Sequence, residues 1–105
     1  MKAAQRELLE ETGYASDDWE LWQELNPTTQ IIWTVYSFVA RNCVYKQAPR
    51  LDAGEKISIK LISFDEMLAL ADEPTFRGRD TQRVFELARL DKSYRESFRK
   101  MLLGE

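Results

Sequence analysis

Apolar positions along this chain run first at helical spacing, then in alternation, then at helical spacing again. Residues 2–12, Lys-Ala-Ala-Gln-Arg-Glu-Leu-Leu-Glu-Glu-Thr, are nearly all good helix formers, with Ala4, Leu8 and Leu9 as a narrow core-facing stripe. Gly13 follows as a natural residue to close that helix in the left-handed conformation. Ala15 to Asp18 reads as a turn, and Glu20 to Leu25 alternates with period two, as a half-buried strand does. Asn26-Pro27-Thr28-Thr29 breaks it. Ile31 to Tyr45 carries β-branched and aromatic residues on both faces, which predicts a central strand covered on each side. After a polar loop, Gln47 to Gly54, the run Lys56 to Ile62 alternates cleanly, with Ile57, Ile59 and Leu61 on one face.

Helical signals return at Ser63-Phe64-Asp65-Glu66, an S-x-x-E capping box that opens a helix to about Ala71. Pro74 to Gly78 is a break. Asp80 is expected to cap a helix carrying Val84, Leu87 and Ala88, and a last helix carries Tyr94, Phe98, Met101 and Leu102 at i, i+4, i+7 and i+8. The order is one helix, three strands and three helices, an α+β chain. Three strands with an apolar one at the centre leave an unpaired hydrophobic edge, so a partner is expected to cover it.

Composition narrows the picture. The 105 residues carry 15 Lys plus Arg against 18 Asp plus Glu, a net charge of −3, with 44% hydrophobic residues. That length suits a single domain over 1–105 with one core and a thin stability margin. Three Trp, four Tyr and five Phe spread along the chain argue against disorder. No apolar run approaches the ~20 residues of a membrane span and no signal-peptide h-region opens the chain, so cytoplasmic residence is the expectation. Positive and negative charges are mixed, which argues against a nucleic-acid partner. Cys43 is the only cysteine; an intramolecular disulfide is excluded, and a small buried side chain is favoured over a reactive thiol. There is no histidine, which removes Ser-His-Asp and Cys-His hydrolases and HExxH metalloproteases. Acid–base or metal chemistry must run on carboxylates.

Arg6-Glu7-Leu8-Leu9-Glu10-Glu11-Thr12-Gly13-Tyr14 concentrates those carboxylates. On a helix Glu7, Glu10 and Glu11 stand at i, i+3 and i+4, on one face. Their mutual repulsion would be relieved by a hard divalent cation such as Mg2+ or Mn2+, with Arg6 as a neighbouring counter-charge. The alternative is a solvated acidic face, which on spacing alone is the commoner outcome. Trp33 and Tyr36 are candidates to stack on a nucleobase, with core packing favoured for both.

This segment closely resembles the second half of the Nudix box, G-x5-E-x7-R-E-U-x-E-E-x-G-U, and Ala3-Ala4 is typical of its helix. Phe38-Val39-Ala40-Arg41, Leu51-Asp52-Ala53-Gly54-Glu55, Lys56 to Ile59 and Ser63 to Met67 resemble the ADP-ribose pyrophosphatase branch of that superfamily. The resemblance covers residues 1–72. It implies that Glu7, Glu10 and Glu11 hold Mg2+ or Mn2+ against a diphosphate, that Arg6 orients the neighbouring glutamate, and that Gly13 ends the helix. Glu55 matches a position that supplies a metal ligand or the general base; an exposed loop carboxylate is the equal alternative. Tyr14 stands where the box has an aliphatic residue.

Counting back from Arg6, the glycine and first glutamate of the box fall before Met1, as do the strands that precede it in the family. The expected fold is therefore a partial α/β/α sandwich whose mixed sheet lacks its N-terminal strands: a helix over 1–13, strands over 18–62 and helices over 63–105. The resemblance implies a metal-dependent hydrolase of a nucleoside diphosphate linked to another moiety, of the ADP-ribose type, impaired by the missing loop. The alternative is a non-catalytic remnant that binds or assembles. A homodimer through the open sheet is the expected partner arrangement.

Overall fold

The computed structural model describes residues 1–25 and 35–105. Helix α1 spans Lys2–Thr12, and the strands are β1 Tyr14–Ala15, β2 Asp18–Leu25, β3 Val35–Arg41 and β4 Val44–Tyr45. Helices α2 Phe64–Ala69, α3 Arg79–Leu90 and α4 Lys92–Leu103 follow, with a 3-10 turn at Leu70–Asp72. The α+β class is as the sequence predicts. The chain divides into two compact units, 1–59 and 60–105.

In the first unit α1 ends as expected on Gly13 at φ 78°, whose N–H donates to Leu9 O. Among the described residues the strands form two antiparallel ladders, β1 with β4 and β2 with β3, where a single mixed sheet was expected. β3 is thus paired on one side there, and not central. Ile31 to Thr34, Trp33 included, and the break at 26–29 lie outside the described residues. The alternation of β2 is interrupted by a bulge: Leu21 opposes Phe38 and Gln23 opposes Ser37, so Trp22 is the extra residue. The slip leaves Trp22 and Gln23, neighbours in sequence, both half-buried. Gln23 Oε1 is buried with no hydrogen-bond partner among the described residues.

Polar contacts hold this ladder at its Asp18–Arg41 end. Arg41 Nη1 donates to Asp18 Oδ1 at 3.0 Å and Nη2 to Glu20 Oε1 at 3.2 Å, across the β2–β3 pair. These contacts, that to Glu20 first, raise the Arg41 guanidinium above its usual value. Ser16 Oγ donates to Arg41 O, and Asn42, at φ 54°, turns the chain back into β4.

Three further expectations fail. Lys56 to Ile62 forms no strand. An alternating run becomes a strand only when a neighbour satisfies its backbone groups, and no described strand pairs with it. Cys43 is exposed, because it sits in the reversal after β3, and its thiol donates to Ala40 O at 3.5 Å. Tyr36 is 54% exposed and so does not pack in a core. Val39 is the one buried hydrophobic residue described in residues 1–59.

The second unit holds a conventional core. Leu68, Ala71, Phe85, Ala88 and Phe98 are buried, with Ala88 fully so. Ring centroids lie 5.6 Å apart for Phe76–Phe85, 6.2 Å for Phe85–Phe98 and 5.9 Å for Phe64–Phe98. The capping box forms as predicted: Ser63 Oγ accepts from Glu66 N and Glu66 Oε1 accepts from Ser63 N. α2 stops at Ala69, before the expected Ala71, as the backbone tightens into the 3-10 turn. Asp80 is not the cap of α3; Gly78 holds that place and Asp80 lies in the first turn. Asp91 ends α3 and also caps α4, accepting from Tyr94 N. Phe85 and Ala88 face the core, and Leu87 is 45% exposed.

Two carboxylates give this unit an acid limit. The hydrogen bond from Arg89 to Asp72, and then the attraction of that guanidinium, hold the Asp72 carboxyl below its usual value. Bonds from the Ser63 backbone, and then its side chain, do the same for Glu66. A depressed folded-state value means that the unfolded chain binds more protons, so this stability is present above the ordinary carboxylate range and lost as pH falls through the folded values. The thermal transition of the helices is expected to hold steady near neutrality and decline below about pH 4. Asp72→Asn, followed by far-UV circular dichroism, should flatten part of that decline; an unchanged acid profile would remove Asp72 from the account. Both groups are exposed, so added salt should shrink the effect.

Candidate functional site

The charged face of α1 follows from local rules: a run of good helix formers with glutamates at i, i+3 and i+4, closed by a left-handed glycine. The helix C-terminus is then pinned by a loop. Lys46 N and Gln47 N both donate to Gly13 O, at 2.8 and 3.3 Å, and Arg50 N donates to Glu10 O at 2.6 Å. Gly13 is buried here, and a Cβ on it would stand 2.0 Å from Gln47 O. Tyr14 packs edge-on against Tyr45 at 5.5 Å across the β1–β4 pair, which gives an aromatic residue a role at this position.

Glu7 is exposed, whereas Glu10 and Glu11 are half-buried. Glu10 and Glu11, one residue apart, point about 100° apart around the axis, with Glu7 between them. The carboxylates therefore fan out, and two of them border different hollows. Glu7 lines an apolar groove of about 540 Å3 with Ala3, Ala4, Leu21, Tyr36 and Phe38. Glu10 lines a polar cleft of about 390 Å3 with Arg6, Gln47, Arg50 and Asp52. Arg6 Nε lies 3.9 Å from Glu10 Oε1, at the outer limit of an ion pair.

Glu55 is turned back on its own loop. Its Oε1 accepts from Asp52 N at 2.6 Å and its N–H donates to Asp52 O at 3.0 Å, and the residue is exposed. Hard carboxylate oxygens suit a divalent cation. Among the described residues, however, no three acidic, histidine or cysteine side chains are placed to hold a metal ion together. The helix carboxylates diverge and Glu55 is engaged elsewhere, so the donor chemistry fits a cation and the geometry does not close around one.

Arg50 is the residue that sequence reasoning passed over. Its signal is faint, a cation in a polar loop five positions before Glu55, and the backbone bonds of that loop to Gly13 O and Glu10 O bring it beside the helix. No helix among the described residues is long and apolar enough to cross a membrane.

A family model described as the NUDIX domain matches residues 1–84. Neither the curated proteins nor the solved structures compared with this chain gave a match.

Proposed function

Because this chain belongs to the NUDIX domain family, we propose that it is a hydrolase of nucleoside diphosphates linked to a second group, of the ADP-ribose type, centred on the acidic face of α1. NUDIX domains generally use divalent cations, and magnesium or manganese is the natural choice for an all-carboxylate donor set. The observation that carries the reading is α1 itself: Arg6, Glu7, Glu10, Glu11 and Gly13 fall in the expected helix and at its left-handed cap. Hydrolysis adds water across a phosphoanhydride P–O bond, and a carboxylate must accept the proton that the water gives up. Glu10 and Glu11, half-buried, are better placed than Glu55, whose carboxylate is occupied by its own turn. The groove beside Glu7, with Tyr36 and Phe38, offers aromatic surface for a nucleobase.

The divergence of the carboxylates supports a second reading, a chain that binds without cutting. Completion by a second copy over the open β2–β3 ladder is also supported, since one hydrophobic residue is buried among those described in residues 1–59 while Leu21 and Tyr36 of that ladder are exposed. The test is hydrolysis of ADP-ribose with magnesium and with manganese at high protein concentration, with the mass in solution measured by sedimentation. Turnover by the native chain that Glu11→Gln abolishes is expected. A folded protein with no turnover under either metal would hand the case to the binding reading.

A further inference from the structure

One run of the chain keeps the periodicity of a strand and has no ladder to join. From Lys56 to Ile62, a strand would set Ile57, Ile59 and Leu61 on one face and Lys56, Ser58 and Lys60 on the other. The three apolar members are 40, 45 and 80% exposed. Among the described residues no backbone–backbone hydrogen bond reaches 56–62. No residue of the run has a positive φ, so its backbone is free to extend. Both ends are set locally, by the turn in which Glu55 bonds to Asp52 and by the capping box at Ser63.

Unpaired backbone groups beside one apolar face are what a sheet edge offers to an added strand. Charge selects the occupant and its register. An antiparallel copy centred on Ser58 would set Lys56 against Lys60 twice, and like charges directly opposite are destabilising. Centred on Ile59, the same pairing sets Ile57 against Leu61, Ile59 against Ile59 and Ser58 against Lys60. Lys56 then stands opposite Ile62, and no lysine faces another. Two-fold symmetry repeats each favourable pair. We propose that Lys56 to Ile62 is a self-pairing edge, through which two copies of this chain form an antiparallel two-stranded ladder about Ile59. The contact uses neither the acidic face of α1 nor the β2–β3 ladder, so it goes beyond the hydrolase reading and does not depend on it. A ladder this short buries little surface, so the dimer is expected to be weak and concentration-dependent.

Disulfide trapping of the full chain in a Cys43→Ser background reads the register. Directly opposite residues of an antiparallel pair lie about 4.5–5.5 Å apart at Cα, within disulfide reach. Diagonal neighbours lie about 7–8 Å apart, outside it. Ile59→Cys is therefore expected to give a covalent dimer under mild oxidation, and Ser58→Cys is not. Sedimentation supplies the second arm. The Leu21→Lys chain, with charge set on its β2–β3 face, should rise towards the mass of two copies as concentration increases. Adding Ile59→Lys, which sets two ammonium groups face to face, should return it to one copy. Leu21 and Ile59 are both exposed, so these variants should keep the native circular dichroism. Trapping by Ser58→Cys instead of Ile59→Cys, trapping by neither, or a Leu21→Lys chain that is monomeric at every concentration would each overturn the proposal. Trapping by Ile59→Cys in a chain without turnover would sink the hydrolase reading alone, and turnover without trapping would sink this one alone.

Discussion

Gly13→Ala is expected to lower the unfolding temperature of the N-terminal unit by roughly 15 °C. Three costs combine. The φ of 78° places an L-residue in the left-handed region, worth about 1–2 kcal/mol. The added Cβ would stand 2.0 Å from Gln47 O, a backbone atom that moves only if the loop moves. That movement endangers the bonds from Lys46 N and Gln47 N to Gly13 O, each worth about 1 kcal/mol. The sum is about 3 kcal/mol, and a unit of this size loses about 4–8 °C per kcal/mol. Trp19, Trp22 and Trp33 all precede residue 60, so tryptophan fluorescence follows this unit selectively. Gly13→Asn separates the causes: asparagine tolerates the left-handed region but keeps the Cβ, so it should recover little. A change of only two or three degrees in Gly13→Ala would show that the loop yields freely.

In the helical unit Phe85→Ala should cost about 3–5 kcal/mol. The ring is 5% exposed and sits between Phe76 and Phe98, so its removal opens a cavity that neither neighbour can fill without leaving its own contacts. Thermal unfolding followed by helical circular dichroism gives the readout, since α2, α3 and α4 all lie beyond residue 60. Leu87→Ala is the internal control. At 45% exposure it should change stability by no more than about 0.5 kcal/mol. Comparable losses from the two substitutions would mean that α3 buries the Leu87 face, as its apolar pattern alone suggests.

That contrast shows how far a one-dimensional pattern reaches. Val84, Leu87 and Ala88 make a plausible apolar stripe, but α3 turns Phe85 and Ala88 inward because α4 and the 3-10 turn approach from that side: Arg95 donates to Ala88 O at 3.3 Å and Gln82 to Ala71 O at 2.7 Å. A stripe fixes that a helix is amphipathic; its neighbours fix the angle. The candidate site divides in the same way. The spacing of Glu7, Glu10 and Glu11 is a local property and was legible, as was the glycine that follows. Their divergence around the axis, the self-directed hydrogen bond of Glu55 and the arrival of Arg50 beside Glu10 were not.

By itself the sequence determined the helices, the capping box at Ser63, the left-handed close at Gly13, the absence of histidine chemistry and the family. These rest on interactions within about four residues, which a chain carries wherever it is placed. Tertiary structure alone decided that Lys56 to Ile62 has no paired strand, that the bulge at Trp22 resets the register of β2, that Cys43 faces solvent, and that two arginines share a cleft with Glu10 and Asp52. Each of these requires a partner distant in sequence: a strand needs a neighbour to satisfy its backbone, and a cleft needs two walls.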